Sequence, residues 1–278
     1  MVSQLMYRLR VIGANILAIY QRELQGYFAS PLAYSVASVF WLIAGIFFVA
    51  VLLGDSGIIA QSAARDMQGA QMGIHVPPID VPYEFLKIYL GTIGSLALFV
   101  LPILSMSLYT EERKRGTLEL LATSPITNWS VAVGKLLGVA TFFATMLAPL
   151  LLMEVIVLSA ASPAISPWVA VSGHVGLILM GSGVLSLGMF LSSLTSSTVL
   201  AAMMTFGLNL SLWIIDLLAN AIGGPTGQAI GHLSLLRHYE AAVRGAPESG
   251  SVVLFLSYII LGIFLTAQSV ETFRFQRS

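Results

Sequence analysis

Charged side chains are scarce in this chain, and the densest group of them runs Glu111-Glu112-Arg113-Lys114-Arg115. It is followed by Gly116-Thr117-Leu118-Glu119-Leu120-Leu121 and by Thr123-Ser124-Pro125. Two carboxylates and three cations in succession belong at an aqueous face, where they can pair with headgroups or with another protein. The stretch from Glu111 to about Ser124 predicts a short amphipathic helix. Glu111 and Glu112 suit the positive end of its dipole, and Leu118 and Leu121 share a face at i, i+3. Pro125 disfavours helix at Ser124 and ends the segment.

Three more ionisable residues, Glu154, His174 and Asp216, stand inside or beside apolar stretches. Lipid makes such groups costly, so a functional role is the default expectation. All three fall toward the outer ends of their stretches. There they either snorkel and bond between helices, or together line the exit of a path. His75, His232 and His238 lie in polar connections with no i, i+4 pairing, so no metal site is expected. The run Gly181-Ser182-Gly183-Val184-Leu185-Ser186-Leu187-Gly188 suits close helix packing. No base or nucleophile elbow accompanies its serines, and no catalytic residue is assigned. The one Gly-Lys pair, Gly134-Lys135, is followed by Leu136, and Trp129 stands where a phosphate-binding loop needs glycine. Lys135 therefore reads as a lysine entering a membrane, and no ATP is expected to bind here.

The elements that must position these residues follow from composition. Of 278 residues, 57% are hydrophobic and only 9% charged, against roughly 25% in an average soluble domain. So few charges cannot cover a surface facing water, and the solvent for most of the chain must be lipid. The formal net charge is zero with no long basic run, which argues against nucleic acid, and cysteine is absent. Arg8 and Arg10 precede an apolar run, but no small-residue cleavage site follows, so a removed signal is not expected.

Six stretches are long and apolar enough to span: Leu32 to Leu53, Ile88 to Leu108, Trp129 to Val157, Trp168 to Leu191, Ser197 to Leu217 and Val252 to Val270. Ser30-Pro31 caps the first, Thr127 or Asn128 the third, and Pro102 should kink the second. Nine Lys and Arg residues then fall on the side of both termini and four on the other, which places the termini in the cytoplasm. Connections of about Gly54 to Lys87 and Leu218 to Ser251 lie outside. Leu5, Leu9, Ile12, Ile16 and Ile19 recur at helical steps, so residues 1–29 predict an amphipathic helix in the membrane interface. Residues 30–278 form one all-α, six-span membrane domain.

The string from Glu111 to Pro125 closely resembles the cytoplasmic coupling segment of ABC-2 type permeases, above all the branch serving gliding motility and nitrous-oxide-reductase maturation. Arg22-Glu23-Leu24 with Tyr27-Phe28 and Ser30-Pro31-Leu32-Ala33-Tyr34 is similar too, as is Leu233-Ser234 with His238-Tyr239-Glu240 and Arg244-Gly245. With the six-span layout, the resemblance covers nearly the whole chain. It implies a multi-pass permease of the inner (plasma) membrane, paired with a second permease subunit (itself or a close paralogue). Each docks a separate nucleotide-binding ATPase that holds ATP and Mg, and this chain carries no cofactor. Glu111, Glu112, Arg113, Arg115, Gly116, Thr117, Leu118, Glu119, Leu121, Ser124 and Pro125 would form the ATPase-coupling helix, with the N-terminal helix a second contact. The implied function is export of a substrate that the apolar spans do not name. The alternative is a mechanical transducer that drives an extracytoplasmic accessory protein through the outer connections.

Overall fold

The computed structural model describes residues 2–118, 126–161, 166–245 and 248–275, and every regular element among them is a helix. In order these are α1 (Val2–Ala29), α2 (Pro31–Leu53), α3 (Ile58–Met72), α4 (Val81–Ser105), α5 (Ser107–Lys114), α6 (Asn128–Ser159), α7 (Pro167–Leu194), α8 (Thr198–Ile222), α9 (Gly224–Gly231), α10 (Leu235–Val243) and α11 (Ser249–Phe275). Six helices, α2, α4, α6, α7, α8 and α11, are long and apolar enough to cross a membrane. The chain is a polytopic α-helical membrane protein.

The helix starts follow local chemistry. Ser30 accepts from the Ala33 amide with Pro31 in the first turn, Thr127 accepts from Ser130, and Ser197 accepts from Leu200. The start of α4 departs most from expectation. Asp80 caps α4 at Val81, seven residues before the expected start, because Pro82 fits a first turn and Glu84 pairs with Lys87 at 3.1 Å on the added turns. The two long connections, after α2 and after α8, are also helical. α3 occupies the first and α9 with α10 the second, and α10 buries Leu235, Tyr239, Ala242 and Val243.

α7 is the axis of the bundle, packing on α4, α6, α8, α10 and α11 and reaching α5 at its end. Its small residues permit this. A Cβ added at Gly181 would stand 2.5 Å from the Phe143 ring of α6, so only glycine lets these two backbones approach. By contrast α2 buries one stripe, Ala33, Ala37, Phe40, Ala44 and Phe48, and leaves Leu42, Ile46 and Val49 exposed. α8 likewise exposes Met203, Leu210 and Leu217. Those faces are apolar because lipid or another apolar surface is their solvent.

The proline break in α4 is satisfied from a neighbouring helix. Pro102 has no N–H to give the Leu98 carbonyl, and Asn209 Nδ2 of α8 donates to that carbonyl instead at 2.9 Å. Trp41, mid-span where an interfacial anchor would not sit, donates from Nε1 to the Met146 carbonyl of α6 at 2.7 Å. Gly181→Leu is expected to lower the unfolding midpoint of the lipid-reconstituted protein, at a cost of about 1–3 kcal/mol from overpacking. Gly207→Leu, whose added Cβ meets open space, is expected to leave it unchanged.

Candidate functional site

α4 does not stop at the end of its apolar stretch. After one irregular residue, Met106, it continues as α5, so the charged string begins at the C-terminal turn of a helix and not at the N-terminus of a new one. The expected pairing of Glu111 and Glu112 with a positive dipole end is therefore corrected. They occupy the last turns with Arg113 and Lys114, where the cations suit the negative end. The helix ends at Gly116, which adopts φ +71. The Gly116 amide donates to Arg113 O at 3.3 Å and the Thr117 amide to Glu112 O at 2.9 Å. This paired return is a Schellman stop, which a residue with a side chain resists.

α5 divides its charges between two faces. Glu111, Lys114 and Arg115 are exposed, with Arg115 Nη2 3.4 Å from Glu111 Oε2. Glu112 and Arg113 turn inward. Arg113 Nη1 donates to the Ser193 carbonyl at 2.6 Å, closing the C-terminal end of α7. Leu118 is buried. Glu119, Leu121, Ser124 and Pro125, the remaining residues of the expected coupling helix, lie outside the described residues.

The inward carboxylate of Glu112 meets Lys135 on α6. The Lys135 ammonium is 2.7 Å from Glu112 Oε1 and 2.9 Å from Glu23 Oε1 on α1, and 5.1 Å from the Tyr109 ring centroid. Its side chain is only 4% exposed, so it acts as a buried bridge, a role the expectation of a lysine entering a membrane did not include. Arg22, largely exposed, approaches Glu112 at 4.0 Å and brings the four-residue set to formal neutrality. Tyr27 adds a bond from its hydroxyl to the Leu104 carbonyl at 2.6 Å. The second half of α1 lies directly on α6, where a Cβ at Gly134 would meet Ile19 and one at Gly138 would meet Glu23 at 2.8 Å. Beside this cluster opens a cleft of about 730 Å³ whose walls include Arg22, Gly26, Ser107, Glu111 and Arg115.

At the other end of the bundle, Glu154 and His174 are both buried, and His174 Nδ1 is 3.7 Å from Glu154 Oε2. Glu154 therefore does not snorkel. Asp216 is not with them: its carboxylate accepts from Asn220 at 3.4 Å on α8, which packs on α7, α4 and α9. A three-residue exit cluster is not formed. His238 serves structure, bonding Ser251 Oγ at 2.9 Å and the His232 carbonyl at 3.1 Å. Among the described residues no group of three or more His, Asp or Glu gathers as a metal site would require.

Sequence reasoning missed Glu23 and the bridging role of Lys135. Their signals were present but weak. Glu23 falls four residues after Ile19, on the apolar side of α1, and Lys135 falls about two turns inside a span whose other charged residue is Glu154.

A family model described as ABC-2 family transporter protein matches residues 17–278. No curated protein matches the chain.

Removing Lys135 would leave two buried carboxylates facing each other. Lys135→Met is expected to destabilise the reconstituted protein by about 3–5 kcal/mol, read as a lowered unfolding midpoint. The triple variant Lys135→Met, Glu23→Leu, Glu112→Leu should recover most of that loss. Arg22→Ala, at an exposed position, should cost under about 1 kcal/mol.

Proposed function

The chain belongs to the ABC-2 transporter family and is a membrane permease component of an ABC transporter, and from that premise we propose that its α5 end seats a separate ABC ATPase whose ATP-driven closure moves the bundle to export a substrate. The observation that carries this is the division of charge on α5. Glu111, Lys114 and Arg115 face outward, while Glu112 and Arg113 bind inward to α6, α1 and the end of α7. A force applied to the outward face therefore reaches three helices at once.

Supporting features surround it. The turn at Gly116 reverses the chain so that Thr117 and Leu118 fold back against the bundle, which gives the partner a firm edge. The adjoining cleft is open and bordered by Arg22, Glu111 and Arg115, a polar rim of the kind that selects a charged protein partner. Glu119, Leu121, Ser124 and Pro125 complete the segment presented to the ATPase, which supplies ATP and Mg. α1 is the second contact, because it is tied to α5 through Glu23, Lys135 and Glu112. The apolar face of α2 or α8 is covered by a second permease subunit. Both termini lie in the cytoplasm, and the membrane is the inner (plasma) membrane.

A second reading is favoured by the outer connections being folded. α10 is packed onto α7 and α4, so motion of the bundle would also move a platform formed by α3, α9 and α10. In that reading the pair drives an extracytoplasmic protein without passing a solute. Flux into sealed vesicles, measured beside ATPase stimulation by an added outer partner, separates the two.

The coupling assignment is tested by placing a photocrosslinker at Arg115 or Glu111 in membranes where the protein is active. Capture of an ABC ATPase from those positions, and not from Lys87 at the opposite end, is the expected result. An active protein that captures none from either position overturns it. Gly116→Ala forces a left-handed conformation costing about 1–2 kcal/mol, a factor of about 5–30 in population. ATPase coupling in the assembled complex should fall within that range.

A further inference from the structure

The Glu154–His174 pair is not used by the coupling mechanism, and its surroundings are specific. Glu154 on α6 is 0% exposed and His174 on α7 is 3% exposed. His174 Nδ1 lies 3.0 Å from the Ala170 carbonyl oxygen one turn back. A carbonyl can only accept, so that contact assigns a hydrogen to Nδ1. Nε2 and both Glu154 oxygens have no hydrogen-bond partner within the protein. Among the titratable groups, Tyr89 of α4 and Tyr239 of α10 lie within reach of a charge on Glu154. The Tyr239 hydroxyl donates to the Leu90 carbonyl at 2.9 Å. The next charges outward are paired among themselves, Lys87 with Glu84 and Arg244 with Glu240. Among the described residues, then, a net charge on the pair finds nothing to balance it.

We propose that Glu154 and His174 form a buried one-proton site between α6 and α7, electrically neutral while the helices touch and able to exchange its proton only when they part. The two groups share a single exchangeable proton. Carried by Glu154 it gives an acid beside a neutral imidazole, and carried by His174 it gives a carboxylate beside an imidazolium. The sum is zero in both cases. Removing the proton leaves a lone carboxylate, and adding another leaves a lone imidazolium, each unsolvated in an apolar bundle and strongly disfavoured. Water surrounding the separated groups removes that constraint, and each then titrates alone. The barrier to water is Tyr239. Its ring packs against Gly94 and Gly176, and it lines an outer cleft of about 460 Å³ with Lys87, Gly91, Glu240 and Arg244. The ligand of this site is the proton, and the site stands apart from the coupling assignment.

The test is the pH dependence of folding stability of the full chain in lipid nanodiscs, for the native protein and for Glu154→Gln, His174→Gln. In the unfolded chain the glutamate titrates near pH ~4.3 and the histidine near ~6.5. Between those values the unfolded pair also carries one proton, so the site adds no slope. Above ~6.5 the unfolded pair has lost its proton while the folded pair keeps it, so stability falls as pH rises. Below ~4.3 the unfolded pair takes up a second proton and the folded pair does not, so stability falls as pH drops. Each limb approaches a tenfold change in the folding equilibrium per pH unit. Native minus variant should show that plateau with two falling limbs. A difference that is flat across the range, or that rises above ~6.5, overturns the proposal. Should the double variant fail to fold, nitrogen NMR of the four histidines of the native chain decides it. His174 is expected to hold constant shifts across about two pH units on either side of the ordinary histidine value of ~6.5, and titration of His174 within that range overturns the site.

Discussion

Lipid supplies neither hydrogen bonds nor counter-charges, and most of what is particular about this bundle follows from that one fact. Helices satisfy their own backbones, but two of these spans contain an internal proline, and polar side chains elsewhere must end on something. The structure answers with long-range donors aimed at carbonyls. Asn209 reaches Leu98, Trp41 reaches Met146, Tyr239 reaches Leu90, Tyr27 reaches Leu104 and Arg113 reaches Ser193. Each joins two helices that are distant in sequence. Polar groups thus become the fasteners of a fold whose apolar residues cannot tell a neighbouring helix from a lipid tail.

Charge obeys the same constraint more severely. Lys135 lies in a span and is almost sealed, yet it is bracketed by two carboxylates from two other helices, with Arg22 completing the balance at the edge. Such a set contributes little net stability compared with apolar side chains of equal volume, because desolvation offsets most of the attraction. What it does provide is position. In the observed placement α1, α5 and α6 meet through these ion pairs, with Glu112 Oε1 facing Lys135 and Arg22. Specificity of placement is the better explanation of its presence than strength.

The spans were legible from sequence because hydropathy over some twenty residues is a strong signal, and capping by Ser30 and Thr127 appears where side-chain chemistry puts it. The connecting helices α3, α9 and α10 were not, since Gly, Pro and Ser in those stretches do not signal a helix and the burial of Tyr239 depends on glycines in two other helices. The charged string from Glu111 stands out in the sequence, but its local structure differs from the expectation. Glu-Glu looks like a helix start in isolation, and only the continuation of α4 through Met106 turns it into a helix end. Glu154 and His174 were picked out singly, but their pairing is a tertiary fact. Nothing in the spacing of residues 154 and 174 brings them together. Asp216 carried the same signal and ends up elsewhere, which shows that an ionisable residue in a span marks a position to inspect and not a shared site.

α6 connects the two polar sites. Lys135 and Glu154 lie on it nineteen residues apart, about 28 Å along a helix rising 1.5 Å per residue. At one end α6 is held to α1 and α5 by charge, and at the other it touches α7 through a pair with unsatisfied polar atoms. Between them the α6–α7 contact is close-packed at Gly181 and Phe143, and close-packed interfaces shift between discrete arrangements instead of deforming smoothly. A displacement of α5 must therefore carry the near end of α6 with it. The far end, where the contact is least satisfied, is the place where α6 and α7 separate at lowest cost. α6 runs as one helix between the two sites, with Pro149 five residues before Glu154, so the charged end lies in the proline-free half and the unsatisfied end lies beyond the proline.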